Sequence, residues 1–172
     1  MRPGTIAGIL ACGFAVGASA ATPSPPAGLA TGPSALSAVD PASEQTVRLD
    51  PAEGPMHLVF LATWCRPCVA EMPRLFDLED RWKAEGYRLF LIAMPTRQSP
   101  ERLKAFLEEG PVPGRLLFDR SGSVASALGV TTIPSHVLVD RAGRIVARSV
   151  AVDTELLDAV ERLVRQEGRP QP

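Results

Sequence analysis

Cysteine is scarce in this 172-residue chain: Cys12, Cys65 and Cys68 are all there is, so no multi-bridge disulfide scaffold holds the fold together. Histidine is scarcer still, with only His57 and His136. A four-ligand zinc site built on Cys65 and Cys68 would need both of them, at spacings unlike any common finger. Aromatic residues make up 5 % of the chain, and no basic cluster is interleaved with them, which removes the usual footprint of nucleic-acid binding. Neither sign of charge dominates either. Eighteen basic and nineteen acidic side chains leave a formal charge of −1, and there is no long charge run or internal repeat, so electrostatics names no partner.

What is present is the composition of an ordinary globular protein, 45 % hydrophobic and 22 % charged, at a length suited to one domain. The first residues read as an export signal. Arg2 supplies a weakly basic start, Ile6 to Val16 an apolar stretch diluted by Gly and Ala, and Ala18-Ser19-Ala20 a small-x-small cleavage pattern before Ala21. Residues 1–20 are therefore expected to be a signal peptide. A retained anchor is the rival, but a spanning helix needs about 20 strongly apolar residues. Lipidation at Cys12 is disfavoured because Leu10 stands where a small residue is usual. Cleavage leaves Cys65 and Cys68 as the only thiols, in a compartment where disulfides form. Residues 21–42, rich in Pro, Ala and Ser, are expected to be a flexible tether, and residues 43–168 the folded domain.

Thr46-Val47-Arg48-Leu49 suits a short edge strand, and the apolar run Met56 to Leu61 a buried parallel strand ending just before the CxxC. From Pro67 the apolar positions Val69, Met72, Leu75, Phe76 and Trp82 recur at helical spacing up to Gly86, with Pro73 expected to kink the helix. Tyr87 to Met94 is a second strand. Ser99-Pro100-Glu101 then supplies an N-cap, a first-turn proline and an acidic first turn for a helix ending at Gly110. A short strand at Leu116 to Phe118 and a small helix stopping at Gly129 follow. His136 to Val139 and Ile145 to Ala147 flank Asp140-Arg141-Ala142-Gly143 as an antiparallel hairpin, and a last helix runs from an Asp153 cap to Gly168. This order implies an α/β sandwich around a mixed sheet.

A Cys-x-x-Cys at a strand-to-helix junction has a specific use. Cys65 lies at a helix N-terminus, where unpaired N–H groups and the helix dipole favour a thiolate, and Arg66 adds a nearby cation. Two intervening residues let Cys68 reach the Cys65 sulfur, so an attack on a client disulfide can be resolved internally. A purely structural bridge is a poor alternative, because closing so small a loop removes little chain entropy.

Ala62-Thr63-Trp64-Cys65-Arg66-Pro67-Cys68-Val69-Ala70-Glu71-Met72-Pro73 resembles the active-site signature of periplasmic thioredoxin-like reductases of the TlpA/ResA type. The likeness runs from Gly54 to about Val146 and includes Gly129-Val130-Thr131-Thr132-Ile133-Pro134 and Leu138-Val139-Asp140-Arg141-Ala142-Gly143. It implies a thioredoxin fold, a mixed central sheet flanked by helices, with the family's extra β-α insertion. It also implies that Pro134 is a cis-proline near the CxxC, that the Ile133 backbone pairs with an extended substrate strand, that Trp64 packs beside Cys65 and shapes the docking surface, that Arg66 and Pro67 support the pair, and that Glu71 is the acid near the buried thiol. Glu71, three residues past Cys68, can share its helix face.

The sequence departs from the family at Val59, six residues before Cys65, where a buried polar group is usual. Proton handling is then expected to fall to Glu71 or water. For His136 a packed or surface-bonded imidazole is the default expectation.

The expected function is a disulfide reductase acting on exported protein thiols and disulfides, with a membrane thiol-transfer protein as electron donor, no cofactor, and a monomeric state. The alternatives are an oxidase or isomerase, for which Arg66-Pro67 lacks the His of strongly oxidising members, and a copper chaperone using Cys65, Cys68 and His136. A thiol peroxidase is not expected, since Thr63 stands two rather than three residues before Cys65.

Overall fold

The computed structural model describes residues 36–167 together with Met1. In chain order the strands are β1 (Leu36–Val39), β2 (Thr46–Leu49), β3 (Met56–Leu61), β4 (Arg88–Ala93), β5 (Arg115–Phe118), β6 (Ser135–Val139) and β7 (Ile145–Ser149). The helices are α1 (Arg66–Ala70), α2 (Met72–Trp82), α3 (Pro100–Glu109), α4 (Ser123–Ala127) and α5 (Thr154–Glu167). The strands form one mixed sheet in the order β2-β1-β5-β4-β3-β6-β7. β3, β4 and β5 run parallel, as β-α-β crossovers require, while β6 returns antiparallel to β3 and β7 turns back antiparallel to β6.

Both faces of the central strands are covered, which is why Met56 to Leu61 is buried at every position. Period-two alternation divides the core. Val59, Leu61, Leu89 and Leu91 pack against Met72, Leu75 and Leu78 of α2, Leu103 of α3, and Leu156 and Val160 of α5. Leu58, Phe60, Phe90 and Ile92 face Val124 and Ala125 of α4, with Ala38 and Leu49 from the first hairpin. Each large side chain so buried contributes about 1.5–3 kcal/mol. Between β4 and the β6–β7 hairpin stand α3, β5 and α4, where the extra β-α unit was expected.

Local signals explain most boundaries. Ser99 Oγ accepts from the Arg102 N–H at 3.3 Å, and Asp153 Oδ1 from the Leu156 N–H at 2.8 Å, capping α3 and α5. Asp119, buried before α4, accepts from the Val124 and Ala125 N–H groups. Gly86 takes φ +87° after the helical segment, and Gly114, at φ +64°, lies so close to the Leu89 carbonyl that a Cβ would collide with it.

Two expectations need correction. β1 lies inside the segment 21–42 expected to be a tether: Leu36–Val39 pairs residue for residue with β2, and Val39 pairs with Phe118 of β5. The sheet supplies the partners that these four residues lack on their own, so the ordered domain begins by Leu36 rather than at residue 43. The single kinked helix expected from Pro67 is two helices, because Pro73 has no N–H to donate and its ring crowds the preceding turn. The break falls at Glu71. Residues 2–20 of the expected signal peptide and residues 21–35 lie outside the described residues.

Candidate active site

β3 ends at Leu61, and the chain turns through Ala62-Thr63-Trp64, with the Cys65 N–H donating to the Ala62 carbonyl at 3.0 Å. Cys65 is the N-cap of α1, its backbone extended, and its Sγ accepts from the Cys68 N–H at 3.4 Å. Cys65 and Cys68 are joined as a disulfide, with an S–S distance of 2.07 Å and Cα atoms 5.3 Å apart. An N–H aimed at Cys65 Sγ is also a ready donor to a thiolate there. Cys65 is 6 % exposed and Cys68 2 %, so the approach from solvent is to Cys65.

The rim around the disulfide is exposed. Arg66, Pro67 and Val69 face solvent, and Trp64 is 42 % exposed. Trp64 is nonetheless held: its Nε1–H donates to the Thr96 carbonyl at 3.1 Å, and the Arg97 guanidinium lies 4.5 Å from its ring centroid. Thr63 Oγ1 donates to Gln98 Oε1 at 3.1 Å, so the loop between β4 and α3 grips the approach to the CxxC at two points. The Ile133–Pro134 bond is cis, and pairing of Phe60 with Ser135 places it at the same end of the sheet as the CxxC turn. A surface hollow beside it is lined by Thr131, Thr132, Ser135, Arg148, Ser149 and Val150.

Glu71 stands at the break between α1 and α2 with helical backbone angles, so its three-residue relation to Cys68 remains one helical turn. Its carboxylate is held at both oxygens. Oε1 accepts from the Val152 N–H at 3.0 Å, and Oε2 meets His136 Nε2 at 3.1 Å.

His136 is fully buried rather than at the surface, and its other nitrogen, Nδ1, lies 3.0 Å from His57 Nε2. His57 Nδ1 in turn lies 2.6 Å from Tyr87 Oη. Burial, reinforced by the field of His136, holds His57 well below the ordinary imidazole value. Burial also lowers His136, against the opposing pull of Glu71. Tyr87 is pushed well above its usual value by burial and then by Glu79.

His57 and Tyr87 were not among the expected site residues. The signal for His57 was present: an imidazole inside an otherwise apolar strand must find partners when buried. It occupies the same face as Val59, two residues earlier, so Glu71 and water are not the only polar groups beneath the CxxC. Among the described residues, no group of three or more His, Cys, Asp or Glu side chains is placed to hold a metal ion.

The sheet order and the disulfide at the β3–α1 junction define a protein of the thioredoxin fold with a CxxC redox pair. The AhpC/TSA family model matches residues 34–148, and the chain belongs to that family. It is 28 % identical over 89 residues to thiol-disulfide oxidoreductase ResA of Bacillus thuringiensis, covering 52 % of this chain and 50 % of the relative. It is 33 % identical over 108 residues to thiol:disulfide interchange protein HelX of Rhodobacter capsulatus, covering 62 % and 58 %. The chain thus spans about half the length of the curated relatives it matches. A solved thioredoxin-like protein of Porphyromonas gingivalis superposes with a TM-score of 0.62 at 28 % identity, over 77 % of this chain and 91 % of that one.

Proposed function

We propose that the chain is an exported thiol-disulfide oxidoreductase that works as a disulfide reductase on exported protein clients. The observation that carries this reading is the Cys65–Cys68 pair, closed within one helical turn directly after β3, with the less buried sulfur at the helix start. The Cys65 thiolate attacks a client disulfide, forming a mixed disulfide and releasing one client thiolate. Cys68 gives its proton to Glu71 and attacks Cys65 Sγ, which forms the Cys65–Cys68 disulfide and releases the second client thiolate. Two electrons pass to the client, whose thiolates take up protons. An external dithiol, a membrane thiol-transfer protein by the family resemblance, returns the pair to its reduced form.

Trp64, Arg66 and Pro67 frame the docking surface in this scheme, and Ile133 with Pro134 receives an extended client strand beside the hollow between β6 and β7. Residues 1–20 direct export. The copper-chaperone alternative is weaker, because both His136 nitrogens are already engaged by Glu71 and His57. The direction of electron flow is tested by acid-quenched alkylation of the protein in its host. A largely dithiol population supports the reductase. A largely disulfide population, with clients losing disulfides when the protein is deleted, would instead make it an oxidase.

A further inference from the structure

Tyr87, His57, His136 and Glu71 form one continuous line of hydrogen bonds, with steps of 2.6, 3.0 and 3.1 Å. The line starts far from the chemistry. Tyr87 immediately precedes β4, and the pairing of Met56 with Arg88 puts it at the end of the sheet opposite the CxxC. Its other end is Glu71, one turn from Cys68.

A contact between two imidazole nitrogens needs one N–H and one lone pair, so in neutral rings the choice at one contact dictates the others. In the forward arrangement the Tyr87 O–H donates to His57 Nδ1, His57 Nε2–H to His136 Nδ1, and His136 Nε2–H to the Glu71 carboxylate. Every group is then satisfied. The reverse arrangement needs a protonated Glu71 as first donor and makes Tyr87 Oη an acceptor. Among the described residues His57 is the only partner of that hydroxyl, so its buried hydrogen would be left over.

We infer that Tyr87 and His57 are positioning residues that fix His136 in its Nε2–H tautomer, so that a donor is always directed at Glu71. Depressed proton affinity at both histidines keeps the rings neutral near pH 7, which the one-way chain requires. The charged groups facing the line are Glu71 at its end, Asp153 near His136 and Glu79 near Tyr87. All three are acidic, and none supplies a competing donor. The kinetic consequence rests on the proposed role of Glu71 as acceptor of the Cys68 proton: a fixed donor holds the Glu71 carboxylate in one orientation for that transfer. The tautomer assignment stands without that role.

The test uses the whole oxidised protein labelled with ¹⁵N. Imidazole nitrogen shifts near pH 7 should show both rings with Nε2 protonated and Nδ1 bare. Tyr87→Phe removes only the terminal donor, so the His57 Nδ1 signal should move toward that of an unbonded lone pair. In single-turnover kinetics, the acid limb of mixed-disulfide resolution should move upward. Mixed-disulfide formation should keep its rate. A merely structural tyrosine would leave that pH profile in place. The inference is overturned if either ring in the parent protein carries its proton on Nδ1 or on both nitrogens, or if Tyr87→Phe leaves both the nitrogen pattern and the profile unchanged. Normal resolution in Glu71→Gln alongside the expected nitrogen pattern removes the Glu71 role and leaves the tautomer assignment intact.

Discussion

Acidification from pH 7.5 to 5 should destabilise the folded protein through His57 before any carboxylate takes part. Burial, and after it the field of His136, holds the folded His57 well below the ordinary value of 6.5. As the pH falls past that value, the unfolded chain binds a proton at His57 that the folded chain does not. Stability is therefore full above about pH 7 and declines below it. A histidine that stays neutral when folded loses about 2 kcal/mol by pH 5, with an unfolded pKa of about 6.5. His136 shifts in the same direction, but Glu71 opposes the shift, so it adds a smaller amount. Against a total stability on the order of 5–15 kcal/mol this is a large change. Urea unfolding of the oxidised protein should show its midpoint falling by about 1 M between pH 7.5 and 5. His57→Leu should be less stable at pH 7.5, since it strands Tyr87 Oη and His136 Nδ1, yet lose less on acidification. A midpoint that is flat over this range, or a parent-like slope in His57→Leu, would refute the reasoning.

Glu71→Gln keeps size and hydrogen bonding but cannot take a proton. Stopped-flow measurement should show mixed-disulfide formation at a near-normal rate and resolution slowed by roughly 10²–10⁴-fold; parent-like resolution at every pH would reduce Glu71 to a structural anchor for Val152. In the reduced protein, alkylation followed by peptide mass mapping should label Cys65 before Cys68, because the approach from solvent is to Cys65. The reverse order would exchange nucleophile and resolver. Gly114→Ala should cost about 1–3 kcal/mol in urea unfolding, since its Cβ meets the Leu89 backbone at a left-handed φ. An unchanged midpoint would show that this turn relaxes freely.

The elements whose signals are local were legible in the sequence. Met56 to Leu61 reads as a buried strand because six consecutive residues are covered on both faces, and Ser99-Pro100 marks a helix start by chemistry confined to three residues. β1 was not legible, since Leu-Ser-Ala-Val becomes a strand only through β2 and Phe118 of β5. The Cys65–Cys68 pair was visible from spacing alone. The line beneath it was not: His57 and His136 are 79 residues apart, and Tyr87 enters from a third strand boundary. Period-two geometry placed His57 on the face of Val59, but only the register of β3 against β6 brings His136 alongside.

The central claim, that Cys65 attacks client disulfides and Cys68 releases them, is tested most directly by trapping. The full-length Cys68→Ala protein, produced in its host and quenched with acid, should accumulate mixed disulfides with exported proteins. These adducts should collapse on reduction and be absent from the Cys65→Ala/Cys68→Ala double variant. Adducts that persist in the double variant, or a Cys68→Ala protein that traps nothing while Cys65→Ala does, would contradict the account.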